Sequence, residues 1–124
     1  MLAVAAGSAV GGVLRYVVGV LFVQRFGPGF PFGTLFVNVS GSFLIGVVVE
    51  LAQTRALGVT PFLRVALATG FVGGYTTFSA YAYETFTLGA DGEAGLALAY
   101  AGGSVVLGLI AGFDGVFEFG LIWA

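Results

Sequence analysis

Thr34, Asn38 and Ser42 recur every four residues along one apolar stretch, and Tyr100 and Ser104 repeat that spacing along another. A third stretch, GFVGGYTTFSAYAYE over 70–84, places two adjacent glycines, two threonines and a serine among apolar neighbours. Such side chains supply N–H and O–H donors and oxygen acceptors rather than nucleophiles. The chain has no Cys and no His, which excludes thiol chemistry, imidazole bases and the commonest metal ligands. No Ser–His or Asp–Asp pairing can be built, so an intramembrane enzyme is the least supported reading. What remains is helix gluing or the handling of an ion. A lone Asn would be glue, whereas three polar residues in register favour a pathway.

Gly73 and Gly74 weaken a helix, and Thr76, Thr77 and Ser79 can bond backbone carbonyls, so a helix is expected to break near Gly73–Thr77. In hydrocarbon an unsatisfied peptide group costs several kcal/mol, so a break survives only where protein, water or an ion meets the exposed backbone. Beyond it, Phe78 and Tyr81 share a face that Thr85 continues. Arg15 falls on a stripe with Gly7, Gly11 and Gly19, a close-packing face where a buried cation needs carbonyls, a polar cavity or an anion. A structural bond and a functional role fit Arg15 equally. Glu84 is deeper than a loop acid, and the sequence leaves it between Arg64, Arg15 and water.

These residues need a membrane scaffold. The 124 residues are 59% hydrophobic and 8% charged, against about 25% charged in soluble domains. A spanning helix takes about 20 apolar residues, and four stretches qualify, at about 2–23, 32–51, 62–86 and 94–113. The expectation is an all-α integral membrane protein in one four-helix domain with short connections. The first segment lacks a basic leader region and is expected to remain as a helix. Ten scattered charges make no basic patch for nucleic acid. Arg25 falls on one side of the membrane, and Arg55 and Arg64 on the other. This bias is too small to fix orientation, so two inverted copies could form an antiparallel, dual-topology dimer.

Four blocks now stand in order along nearly the whole chain: GGVLRY over 11–16, GTLFVNVSGSFLIG over 33–46, GFVGGYTTFSAYAYE over 70–84, and the Tyr100/Ser104 pair. They resemble the Fluc (CrcB) family of microbial fluoride channels. The resemblance implies a cell-membrane channel that lets cytoplasmic fluoride leave passively, relieving its toxicity. It also implies an antiparallel homodimer, or a heterodimer with a paralogous chain, with two pores and a central structural Na⁺. The fluoride pathway would include Asn38, Phe78, Ser79 and Tyr81, with Thr34, Ser42, Tyr100 and Ser104 as polar positions. Backbone carbonyls of Gly73 and Thr76 would hold the Na⁺, while Arg15 and Glu84 would be structural or vestibule residues. The family's usual TTFSTF reads TTFSAY here, with Ala80 for threonine and Tyr81 for the second phenylalanine.

Two other readings compete. A small four-helix multidrug exporter would share the size and dual topology, but proton-coupled export of cations wants a mid-membrane carboxylate, and only Glu84 could serve. A non-transporting subunit of a membrane complex would explain glycine packing but not the polar stripes and the break.

Overall fold

The computed structural model describes residues 1–54 and 60–123, leaving Arg55 outside. Among the described residues every regular element is helical. Helix α1 is Leu2–Phe26 and α2 is Phe32–Thr54. The third passage is made of pieces: α3 (Pro61–Arg64), a π-helical stretch (Val65–Val72), α4 (Gly73–Tyr75) and α5 (Phe78–Ala90). Helix α6, Ala94–Trp123, contains the span read from sequence as 94–113 and continues through Asp114 and Glu118. Among the described residues three helices are long and apolar enough to cross a membrane: Leu2–Phe26, Phe32–Gln53 and Ala94–Glu118. The chain is a multi-pass membrane protein.

Local sequence sets the boundaries. Gly27, at φ 78°, ends α1 in a left-handed conformation that glycine adopts without a Cβ penalty, and its N–H donates to the Val23 carbonyl at 2.8 Å. Pro31 then offers its carbonyl to the Leu35 N–H as α2 begins. At the next entry Thr60 Oγ1 accepts from the Leu63 N–H at 3.2 Å, and Pro61 occupies the first turn, where its missing N–H costs nothing.

The break falls at Thr76 (φ −86°, ψ 160°) and Thr77 (φ −151°, ψ 123°), both extended. Gly73 and Gly74 remain helical, so the chain is extended only at the C-terminal end of the interval where the sequence suggested unwinding. Gly74 serves close packing, since a Cβ there would come within 2.6 Å of the Ser8 carbonyl. The threonine hydroxyls bond backbone groups on both sides of the break, that of Thr76 in addition to the helical bond of its own N–H to Val72. Thr76 Oγ1 donates to the Val72 carbonyl at 2.9 Å, and Thr77 Oγ1 caps α5 by accepting from the Ala80 N–H at 3.1 Å.

The small-residue stripes are contact faces. Gly7 and Gly11 bring α1 against the Ala66 and Phe71 carbonyls of the π-helical stretch, leaving no space for a side chain. Gly46 meets the Gly112 carbonyl, and Gly115 meets that of Phe43, joining α2 to α6. Glycines permit this approach, and dispersion and weak polar contacts rather than water exclusion hold helices together in lipid. The fully enclosed interior is small. Val37 and Tyr100 are its least accessible large side chains, at 1% each.

Candidate functional site

The site grows from the break. Asn38, on α2, accepts the Thr77 N–H through Oδ1 at 2.8 Å and donates from Nδ2 to the Thr77 carbonyl at 3.0 Å. One amide side chain thus satisfies both polar groups of one extended residue. Only this orientation of the amide fits, because a backbone N–H must face an acceptor and a carbonyl a donor. The clamp has a consequence four residues upstream. In a continuous helix the Thr77 N–H would bond the Gly73 carbonyl and the Ala80 N–H that of Thr76. Here the first goes to Asn38 and the second to Thr77 Oγ1, so both carbonyls lose their helical donors. The Gly74 carbonyl between them accepts from Arg15 Nε at 3.3 Å.

Two neutral, hard carbonyl oxygens are the donor chemistry that suits a monovalent cation such as Na⁺. One chain supplies only part of a shell. Among the described residues no cluster of three or more carboxylates offers a rival metal site. Further contacts from α2 brace the same place: Tyr75 OH and Ser40 Oγ lie 2.9 Å apart, and Tyr75 stacks on Phe71 with centroids 5.6 Å apart. Gly41 leaves room for the Thr76 methyl.

On one side of the break lies a cleft of about 330 Å³, lined among others by Asn38, Ser42, Phe78, Tyr81 and Ser104. These are five of the eight residues that the family resemblance grouped as a pathway. Asn38 keeps one N–H after clamping Thr77. Ser104 Oγ is buried with no hydrogen-bond partner. Ser42 spends its hydrogen on the Asn38 carbonyl at 2.7 Å, so it faces the cleft as an acceptor only. Tyr81 points its hydroxyl out of the cleft, donating to the Ala101 carbonyl at 2.7 Å. Its ring packs tilted against Phe78, with centroids 5.6 Å apart. Phe78 is 79% exposed, so the cleft is open on that side of the single chain.

The other three lie apart. Ser79 is exposed, its hydroxyl 3.3 Å from Thr77 Oγ1. Thr34 and Tyr100 gather around Glu84, to whose Oε1 the Tyr100 hydroxyl donates at 3.5 Å, the limit of a hydrogen bond. Glu84 thus meets hydroxyls, a setting that was not among the three (Arg64, Arg15 or water) left open by the sequence. Arg15 and Thr34 line a second cleft of about 410 Å³ that Thr77 also borders. Thr77 therefore stands between two clefts. Its peptide and the Ala101 carbonyl are the site groups that sequence reasoning missed. Thr77 was visible in the TTFS run, but its role lies in backbone atoms, which carry no side-chain signal.

Comparison with known proteins places this geometry. Residues 2–116 match the family model described as CrcB-like protein, Camphor Resistance (CrcB). A Rhizobium meliloti protein named fluoride-specific ion channel FluC is 50% identical over 116 residues, covering 94% of this chain and 92% of its own. A Thermus thermophilus protein of the same name is 50% identical over 114 residues, covering 92% and 90%. One from Acidobacterium capsulatum, also so named, is 44% identical over 108 residues, covering 87% and 86%. With the match running through the break, the clamp and both polar stripes, the chain belongs to the CrcB-like family.

Proposed function

We propose that this chain is a fluoride-selective channel subunit that lets cytoplasmic fluoride leave the cell passively, working as half of an antiparallel, dual-topology dimer. The relatives' names support the ion. The observation that carries the reading is the buried Ser104 hydroxyl, without a partner, in one cleft with a spare Asn38 N–H and two aromatic rings. A buried polar hydrogen with no acceptor costs about 1–3 kcal/mol, and an anion passing through the cleft would supply the acceptor.

Fluoride can cross only if it exchanges water for donors that do not hold it too tightly. Asn38 and Ser104 give N–H and O–H. Phe78 and Tyr81 add ring edges, positive because of the aromatic quadrupole. Among the described residues no Lys or Arg lines this cleft, so none of them would trap the ion there. Arg15 and Thr34 line the other cleft, where the cation draws the anion toward Thr77.

A second chain completes the path. The exposure of Phe78 leaves one side unlined, and nothing lies within 4 Å of a Cβ built on Gly73, so a partner can approach the break there. Two inverted copies would bring their Gly73 and Thr76 carbonyls together to hold a structural Na⁺, which would tie the two breaks to each other. Purified protein in liposomes should release fluoride passively under a membrane potential while retaining chloride. Dependence on a proton gradient would instead identify an exporter and overturn the reading.

A further inference from the structure

The two carbonyls assigned to the structural cation share a dependence on one hydrogen bond. The Thr77 N–H donates to Asn38 Oδ1 at 2.8 Å instead of closing a helical bond on the Gly73 carbonyl, so that carbonyl is left free. The Thr76 carbonyl lies in the same peptide plane as this N–H. A trans peptide holds its C=O and N–H in opposite directions, so with the N–H on Asn38 the Thr76 oxygen points away from the amide. Before that plane, Thr76 is tied by its own N–H and by Oγ1, each to the Val72 carbonyl at 2.9 Å. Those bonds hold the N-terminal side of Thr76 and leave the following plane to turn about ψ. Among the described residues no hydrogen bond except that to Asn38 reaches the plane. The second bond of the amide, from Nδ2 to the Thr77 carbonyl at 3.0 Å, pins the next peptide and keeps the amide from swinging off the first.

We infer that Asn38 is a positioning residue for the structural cation as well as a donor in the anion path: one amide leaves the Gly73 carbonyl free, aims that of Thr76, and lines the cleft beside them. The inference rests on the reading of a dimer that holds Na⁺ between its two breaks, and goes beyond it by making the hold on the ion depend on a side chain that is not a ligand. Without the amide the Thr77 N–H is released to the Gly73 carbonyl. One oxygen is then covered in each chain, and the Thr76 oxygen turns with the same plane.

A Na⁺ titration of the dimer tests this without any reference to transport. The dimer fraction is read by size exclusion in detergent as Na⁺ replaces a bulky organic cation at constant ionic strength. Asn38→Leu keeps the bulk of the side chain and removes both bonds. Its midpoint should move to about tenfold higher Na⁺ or more, since each of two subunits loses a hydrogen bond, while the dimer is restored at saturating Na⁺. Ser104→Ala removes a donor from the same cleft without touching the break, and should keep the wild-type midpoint. A merely structural asparagine would lower the plateau rather than move the midpoint. An unmoved midpoint in Asn38→Leu, an equal shift in Ser104→Ala, or no dimer at any Na⁺ concentration in Asn38→Leu and Asn38→Ala alike would overturn the inference and leave the cation reading intact. A wild-type dimer indifferent to Na⁺ would overturn both.

Discussion

Asn38 does two tasks with one amide. Its Oδ1 and one N–H hold Thr77, and the remaining N–H is what the cleft can use. Asn38→Asp keeps the acceptor for the Thr77 N–H but faces the Thr77 carbonyl with a second oxygen and puts negative charge in an anion path. Fluoride efflux from liposomes should fall about a hundredfold, as expected for losing a charge-assisted donor and adding repulsion. Phe78→Ile keeps apolar bulk and removes the ring edge, a weaker contact, so efflux should fall about tenfold. Wild-type rates in both variants, measured on folded dimers, would remove the two residues from the path. Ser42 is a useful contrast. With its hydrogen already on the Asn38 carbonyl, Ser42→Ala should change efflux less than either variant.

At the scale of elements, the two glycines before the break do different things. Gly74 is packed against Ser8, so Gly74→Val must displace α1 and should destabilise the fold by about 1–3 kcal/mol, seen as early loss of the folded peak on heating in detergent. Gly73 has open space around it within its own chain. Gly73→Val should therefore leave each protomer folded and block dimer assembly, visible as a monomer by size exclusion. A stable, conducting Gly73→Val dimer would contradict the packing proposed at the two-fold axis. Thr76→Ser retains both the backbone carbonyl and the hydroxyl that bonds Val72, so it should assemble and conduct almost normally.

For the whole molecule, Arg25 on one side against Arg55 and Arg64 on the other leaves too little bias to choose an orientation. Cysteines placed at the N-terminus should be labelled from both faces of the membrane. Labelling from one face alone would exclude dual topology. Added Lys or Arg at one end should bias insertion and reduce function unless an oppositely oriented partner is co-expressed. Exchange of Na⁺ for a bulky organic cation should weaken the dimer if the Gly73 and Thr76 carbonyls hold the ion, because the converged oxygen dipoles would then repel one another. An equally stable dimer without Na⁺ would remove the ion from the account.

The sequence by itself determined the membrane class, the number of passages, the glycine faces and the interval of the break. Those depend on local quantities: apolar length, four-residue spacing and the presence of small or hydroxyl residues. The family resemblance that the sequence carries also brought Asn38, Phe78, Tyr81 and Ser104 into one candidate group, and all four line one cleft. The tertiary structure decided what each of these residues does. Ser42 and Ser104 look alike in the sequence, yet the first spends its hydrogen on the Asn38 carbonyl and the second lies buried with no partner. Likewise, the break settled at Thr76–Thr77 rather than at the glycines because Asn38 reaches across from α2 to clamp Thr77 while Gly74 is held helical against α1. Spacing can place a donor on a face, but only the packed neighbours fix where its hydrogen goes.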